Sequence, residues 1–338
     1  VVRIDYHSDL KEVQSDARLA RLLSETEQRA PFDRLAWWQG LAEHCGLSPL
    51  LAVASGPKGI AVLPLAGNGG HLTALANWYS FRFRPILSHP DAPLEALARN
   101  LARRAHRITL TGLPDEDASA STTERAFRRA GWLVHRTACD TNHVLPVAGR
   151  SCEEYLAARP GKLRTTLKRK AGKVMTRVLD RFEEEAWAQY ESIYAESWKP
   201  EEGSPAFLRA FARAEGAAGR LRLALAHDAA DPTGPAIAAQ MWTVEGGTAF
   251  IHKLAHREAA KPLSPGSVLT AALMARVIDG DGVSLVDFGT GDDPYKRDWM
   301  EQQRPRYRLD MLRPFSPRNW PILVRMCLRS LAARGKRG

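Results

Sequence analysis

The sequence has no apolar run near the roughly 18 to 20 residues that a membrane-spanning helix requires. Its N-terminus lacks the basic-then-apolar pattern of a secretory signal, so a cytoplasmic location is the expectation. Cysteine is scarce: Cys45, Cys139, Cys152 and Cys327 stand far apart, with no CxxC pair and no histidine at zinc-ligand spacing. Reduced thiols and no metal are expected. Repeats with a period of about 20 to 50 residues and low-complexity stretches are also missing, which argues against a solenoid or a disordered linker protein. Acidic residues are outnumbered, 38 against 48 basic ones, and none follows Asp310, leaving a net charge of +10. The excess gathers in residues 159–181 and 313–337, blocks suited to phosphate on a cofactor, a lipid headgroup or a nucleic acid. The interleaved aromatics of a single-strand binder, a zinc module and a clear helix-turn-helix are lacking, so DNA is not an expected partner.

What is present is the composition of a folded protein, 44% hydrophobic and 25% charged, in 338 residues, more than one average domain. Two lobes are expected, at residues 1–150 and 151–312, followed by a basic tail at 313–338. In the first, residues 32–44 read as a helix with Asp33 as its cap. Residues 50–55 and 59–65 read as a hairpin. Residues 94–106 and 121–130 read as helices, and 107–112 and 132–147 as extended. In the second, helical spacing runs from Lys162 through Val178 with a basic outer face, although 174–182 also suits a strand. A helix at 183–198 precedes strands at 221–227, 237–244 and 248–255, the last two joined across Glu245-Gly246-Gly247. A helix at 267–279 and a strand at 283–288 follow. The order is that of an α/β (α+β) protein with sheets flanked by helices.

Chemistry concentrates between Thr248 and Trp299. The turn Leu263-Ser264-Pro265-Gly266-Ser267 opens a helix, and a helix start offers unpaired N–H groups and a positive dipole end to a phosphate. The strand after it ends in VDFGTGDDPYKRDW, residues 286–299, which crowds Asp287, Asp293, Tyr295 and Lys296 beyond a strand end, where α/β sheets tend to carry their sites. The segment NWYSFRFRPIL, residues 77–87, mixes aromatics and arginines, as either a buried interface or a pocket wall does.

The run DFGTGDDPYKRDW, the SPG helix start and the basic KLRTTLKRK segment resemble the CelD/BcsL acetyltransferases of bacterial cellulose biosynthesis, a FemAB-like group within the GNAT superfamily of N-acyltransferases. The resemblance extends to FDRLAWWQGL, IAVLPL and NWYSFRFRPIL. It implies two tandem GNAT-like lobes, an acyl-CoA donor and an amine acceptor in cell-envelope or exopolysaccharide synthesis. LSPGS stands where a typical GNAT loop reads Q/R-x-x-G-x-G/A, so transfer from aminoacyl-tRNA is kept as an alternative donor chemistry, and tRNA as a partner only there.

On this footing Ser264, Gly266 and Ser267 are expected at the donor's diphosphate, and the backbone around Lys253 and Leu254 at its pantetheine arm. Alternation puts Phe250, His252 and Leu254 on one face of their strand. Aminolysis of a thioester needs a neutral amine and a proton for the departing thiolate. Asp287 or Asp293 is expected to take the amine's proton, Tyr295 to serve the thiolate, and His252 to act as base, as substrate contact or as a packed core histidine. Lys296, Trp78, Tyr79, Arg82 and Gln240 are the candidate acceptor contacts. In the tail, Trp320, Leu323, Val324, Cys327, Leu328 and Leu331 share a helical face, with Arg325, Arg329, Arg334, Lys336 and Arg337 around it. Such a helix either docks with a solvated basic face or lies on anionic membrane; the second case would make the protein peripheral and a lipid amine such as a sphingoid base the acceptor.

Overall fold

The computed structural model describes residues 1–322, 324 and 325, which pack as two units. Unit 1 holds residues 1–27, 31–140 and the chain from Pro305 on; unit 2 holds 28–30 and 141–304. The division by packing thus falls at Thr141 and Pro305, inside two long strands, where the sequence suggested 150 and 312.

Unit 1 opens with strand β1 (Arg3–His7) and short helices α1 (Leu10–Ser15) and α2 (Ala17–Leu22). Helix α3 (Leu35–Cys45) follows a single turn of 3₁₀ helix at Pro31–Asp33. Asp33 does not cap it: the carboxylate is buried and receives Arg82 and Arg84. Strands β2 (Pro49–Gly56) and β3 (Gly59–Ala66) form the expected hairpin, with Gly56 opposite Gly59. Strands β4 (His71–Ala74) and β5 (Ile86–Leu87) come next, then α4 (Leu94–Leu101), β6 (Arg107–Leu113) and α5 (Ser119–Arg129). Helix α4 buries Leu94, Leu97, Ala98 and Leu101, the i, i+3, i+4, i+7 stripe that docks a helix on a sheet. Strand β7 (Leu133–Pro146) carries the chain into unit 2.

Unit 2 begins with α6 (Cys152–Ala157), closed by a capping box between Ser151 and Glu154. Helix α7 (Gly161–Lys170) ends at Lys170, and after a 3₁₀ turn the chain becomes strand β8 (Val174–Leu179). Of the two readings that periodicity allowed for 174–178, strand is therefore the one adopted. Helices α8 (Glu184–Ala195) and α9 (Pro205–Ala217) precede β9 (Leu221–Asp228), β10 (Ala238–Glu245) and β11 (Thr248–His256). Helix α10 (Pro265–Ala275) crosses over to β12 (Leu285–Thr290), followed by α11 (Pro294–Trp299). Strand β13 (Gln302–Leu312) then takes the chain back to unit 1, pairing antiparallel with β6.

The sheet of unit 1 runs β1-β2-β3-β4-β6-β13, with β4 and β6 parallel. That of unit 2 runs from the end of β7 through β12-β11-β10-β9-β8, antiparallel except for β11 and β12. Helices α6, α7 and α10 cover one face of the second sheet in a core built on Trp242, Ile251, Leu269 and Val286. Helices α8 and α9 pack their buried Trp187, Tyr190, Phe207 and Leu208 elsewhere against β9, β10 and β11. The architecture is mixed α/β with mostly antiparallel sheets flanked by helices, as expected. No helix among the described residues is long and apolar enough to cross a membrane. Cys45, Cys139 and Cys152 are free thiols. Leu323, Cys327, Leu328, Leu331, Arg329, Arg334, Lys336 and Arg337 of the expected tail helix lie outside the described residues; Trp320 and Val324 are exposed.

Candidate active site

Strands β11 and β12 pair at only three positions, Thr248 with Leu285, Ala249 with Val286 and Phe250 with Asp287. Beyond that point both continue and separate. A cleft of about 310 Å³ opens there, walled by Leu254 and His256 of β11, Phe288 of β12, Leu163 of α7, Tyr295 and Trp299 of α11, and the start of α10. Ser264, Pro265, Gly266 and Ser267 all line it, with Lys261 at the rim and Trp198 tilted against His256 at 4.4 Å between ring centres. Proline at the first position of α10 removes one donor, and the remaining N–H groups of the first turn form the positive end of an 11-residue helix. The side chain of Ser264 makes no capping bond, and its backbone is left-handed, φ +52°.

Gln240 holds this turn in place and has no polar group left for a substrate. Its amide donates to the Gly266 carbonyl (3.0 Å) and to Thr270 Oγ1 (2.8 Å), while its oxygen accepts from Trp242 Nε1 (2.9 Å). The sequence pattern suggests an acceptor contact here; full burial and these three hydrogen bonds make Gln240 the anchor of α10 instead.

In the loop after β12 three expected roles separate. Asp287 is buried, and its Oδ1 accepts from the Gly289 N–H (2.8 Å) and from Asn142 Nδ2 (3.1 Å), which fixes the turn at Gly289, φ +67°. A carboxylate so engaged is a turn lock. Lys296 is also buried: its ammonium donates to the Thr290 carbonyl and lies 5.5 Å from the Phe288 ring centre, closing the loop from within. Asp293 is exposed at the start of α11 and makes no capping bond. Tyr295 lines the cleft with its ring edge-on to Phe288; the residue is partly exposed, and desolvation of its hydroxyl together with the nearby Asp293 raises its pKa.

Strand β11 does not alternate as its sequence suggests. Met241 pairs with Lys253 but Trp242 pairs with Ile251, so His252 is an extra residue in a β-bulge. Ile251 and Leu254 consequently both join the α10-side core, while His252 and Lys253 both turn toward α8 and α9. His252 Nε2 lies 2.8 Å from Thr243 Oγ1 and its ring meets Phe211 of α9 edge-on, the situation of a packed histidine.

Lys253 leads to a second cleft, of about 490 Å³, lined by Trp187, Tyr190, Glu191 and Tyr194 of α8, Pro205 and Leu208 of α9, and Lys199, Glu201 and Glu202 of the connecting loop. Lys253 Nζ and Glu202 Oε1 are 2.8 Å apart, each side chain only 8% exposed. Burial pushes the lysine down to about 8 against the pull of Glu202, and pushes Tyr194 up to about 12. Lys199 is lowered by burial as well. Nothing local singles out Glu202: it stands 51 residues from its partner, and the one hint is the acidic WKPEEGSP connection after an aromatic-rich helix.

Trp78, Tyr79 and Arg82 belong to unit 1. There Arg82 is engaged by the buried Asp33, Tyr79 is buried, and Trp78 lies over Tyr79 with 4.4 Å between ring centres. Among the described residues no group of three or more His, Cys, Asp or Glu is placed to hold a metal ion.

Residues 150–297 match the family model described as an acetyltransferase (GNAT) domain. No curated protein matches the chain. Among solved structures, FemX is similar at 12% identity, covering 90% of this chain and 96% of its own, with a TM-score of 0.59. The L-PGS of Bacillus licheniformis is similar at 13% identity over 96% and 97% of the two chains, TM-score 0.55. A tandem GNAT protein from the clavulanic acid biosynthesis pathway follows at 14% identity over 91% and 98%, TM-score 0.53. These likenesses show a shared fold along nearly the whole chain, and the family match places an acetyltransferase (GNAT) domain at residues 150–297.

Proposed function

We propose that this GNAT domain makes the chain an acyl-CoA-dependent N-acyltransferase of the CelD/BcsL kind, acting on a primary amine of a cell-envelope precursor such as an exopolysaccharide amino sugar or a sphingoid base. The observation that supports this best is the parting of β11 and β12 after Phe250 and Asp287, with the start of α10 facing the gap. A pantetheine arm is itself extended and amide-bearing, so it replaces the missing strand partner beside Lys253 and Leu254. Its diphosphate then falls at Ser264, Gly266 and Ser267, where N–H donors, helix dipole and Lys261 favour an anion. Tyr295, protonated and in the same cleft, is the group to deliver a proton to the departing thiolate. Lys296 and Asp287 act by holding the loop that presents Tyr295.

A panel of thioesters from acetyl- to palmitoyl-CoA in a thermal-shift assay tests the donor. A ligand held at about a hundred times its Kd stabilises by about 2.7 kcal/mol, a rise of a few degrees in Tm. No rise with any thioester removes the reading. Mass spectrometry of products from glucosamine and sphinganine then separates the two acceptor classes.

A second donor is favoured by one feature. Lys162, Arg164, Lys168 and Arg169 line the exposed side of α7, a surface that also suits a tRNA, as in aminoacyl-tRNA-dependent ligases. Activity that RNase abolishes and acyl-CoA does not support selects that alternative. Peripheral attachment through residues 313–338 is tested by flotation with anionic liposomes, with tail-deleted protein as the control.

A further inference from the structure

The second cleft has a composition unlike the first. Its walls are aromatic and aliphatic, Trp187, Tyr190, Tyr194 and Leu208, and its polar end is a carboxylate held by a buried ammonium. We infer that this cleft binds the acceptor as its ammonium ion, with Glu202 as counter-ion and proton acceptor and Lys253 as the residue that positions that carboxylate. The inference rests on the donor reading above and names the side from which the amine arrives.

Three observations converge. First, the two clefts are neighbours through consecutive residues: Trp198 lines the donor cleft and Lys199 the second, and Leu254 lines the donor cleft while Lys253 meets Glu202. The bulge at His252 brings this about, since it turns Lys253 toward α8 directly beside the strand residue that faces the donor. Second, aromatic walls with a carboxylate are what a primary ammonium on an apolar chain or a sugar ring requires, cation–π attraction and ring stacking at one end and charge at the other. Third, a buried Lys–Glu pair adds little stability, because desolvation offsets the attraction, so a pair kept at the polar end of this cleft calls for a chemical reason.

The protons balance as follows. The ammonium gives one proton to Glu202, becoming a neutral amine whose lone pair attacks the thioester carbon. The C–N bond forms and the C–S bond breaks. Tyr295 gives its proton to the thiolate, making free CoA thiol, and is reprotonated by the second N–H proton as the secondary amide forms; Glu202 returns its proton to solvent. The groups around Glu202 are Lys253 of β11, Tyr194 of α8 and Lys199 of its own loop, with Asp293 of the α11 start acting on Lys199.

The test uses the full chain with acetyl-CoA and three primary amines, glucosamine, sphinganine and ethanolamine, products being read by mass spectrometry. Glu202→Gln is expected to lower kcat/KM for whichever amine reacts by about 100-fold while leaving the acetyl-CoA thermal shift unchanged. Lys253→Met is expected to lower kcat/KM by about tenfold and Lys253→Arg to restore most of it, since a cation there holds the Glu202 carboxylate in place. The double replacement Glu202→Leu with Lys253→Met guards against misfolding: it should be inactive with a Tm at or above wild type. Activity of Glu202→Gln within about threefold of wild type, loss of its acetyl-CoA shift, or a wild type that binds thioester yet acylates none of the three amines overturns the inference. A wild type that binds no thioester removes the donor reading itself, a result independent of Glu202.

Discussion

Asp310 illustrates how much one side chain in unit 1 contributes, and at what pH. Burial alone would raise its pKa, yet hydrogen bonds from Arg308, Arg107 and Thr109 hold it at about 2, below the ordinary 3.8. A carboxyl with a depressed folded pKa stabilises above its unfolded value, and that contribution fades as pH falls through the folded one. The difference corresponds to about 2 kcal/mol, lost between about pH 4 and pH 2. Asp310→Asn should therefore be less stable at neutral pH and flatter on the acid side; urea unfolding across that range checks it, and equally steep acid limbs would exclude this role. At the same scale the candidate site was legible in part. Ser264, Gly266 and Tyr295 line the proposed donor cleft, and their placement was legible because a helix start and a loop beyond a strand end are local patterns. Gln240, Asp287 and Lys296 were found as residues but not as roles, since whether a polar group faces a ligand or a backbone carbonyl depends on where its neighbours bury it. Glu202 was illegible: only the folded chain brings it to Lys253.

Among the elements, the hairpin of β10 and β11 carries a wall of each cleft, so its geometry governs both. Its turn places Gly246 at φ +55° and Gly247 at φ +75°, between Glu245 and Thr248, the two left-handed residues of a tight hairpin turn. A Cβ on Gly246 would meet Arg29 Cβ at 2.6 Å and its carbonyl oxygen at 2.9 Å, whereas one on Gly247 comes no nearer than Ser284 Oγ at 3.4 Å. Gly246→Ala should thus cost about 2 to 3 kcal/mol, left-handed strain plus displacement of Arg29, and Gly247→Ala about 1 kcal/mol from strain alone. Denaturant melts of the two variants decide the order; equal losses would show that crowding by Arg29 does not matter. The turn was legible from Glu245-Gly246-Gly247, because only glycine takes that conformation freely. The bulge a few residues on was not, because period-two alternation assumes a regular strand and His252, Lys253 and Leu254 do not themselves mark an extra residue. Similarly, the basic spacing of α7 continued smoothly past Lys170, and the change to strand at Val174 is set by pairing with β9.

Across the whole molecule the same crossover occurs twice, a strand, a helix and a parallel strand: β4, α4 and β6 in unit 1, β11, α10 and β12 in unit 2. In both, parallel pairing covers three residues and then ceases. In unit 2 the space beyond is a cleft, but in unit 1 the chain fills its own gap. The Phe83 N–H donates to the Gly112 carbonyl of β6 at 3.0 Å, and Tyr79, Phe81 and Phe83 are buried. The NWYSFRFRPIL segment is therefore a plug in the place where a donor would extend along β6, and the buried Asp33 with Arg82 and Arg84 ties it down. Expelling it would expose three aromatic rings, each worth about 1.5 to 3 kcal/mol of burial, a cost that an extended thioester arm does not recover. On the donor reading proposed above, one donor per chain is expected. Isothermal titration with a non-hydrolysable acetyl-CoA analogue should give a stoichiometry of one, carried by unit 2 and unaffected by Arg82→Ala, whereas two equivalent sites would mean that the aromatic segment leaves its gap when ligand arrives.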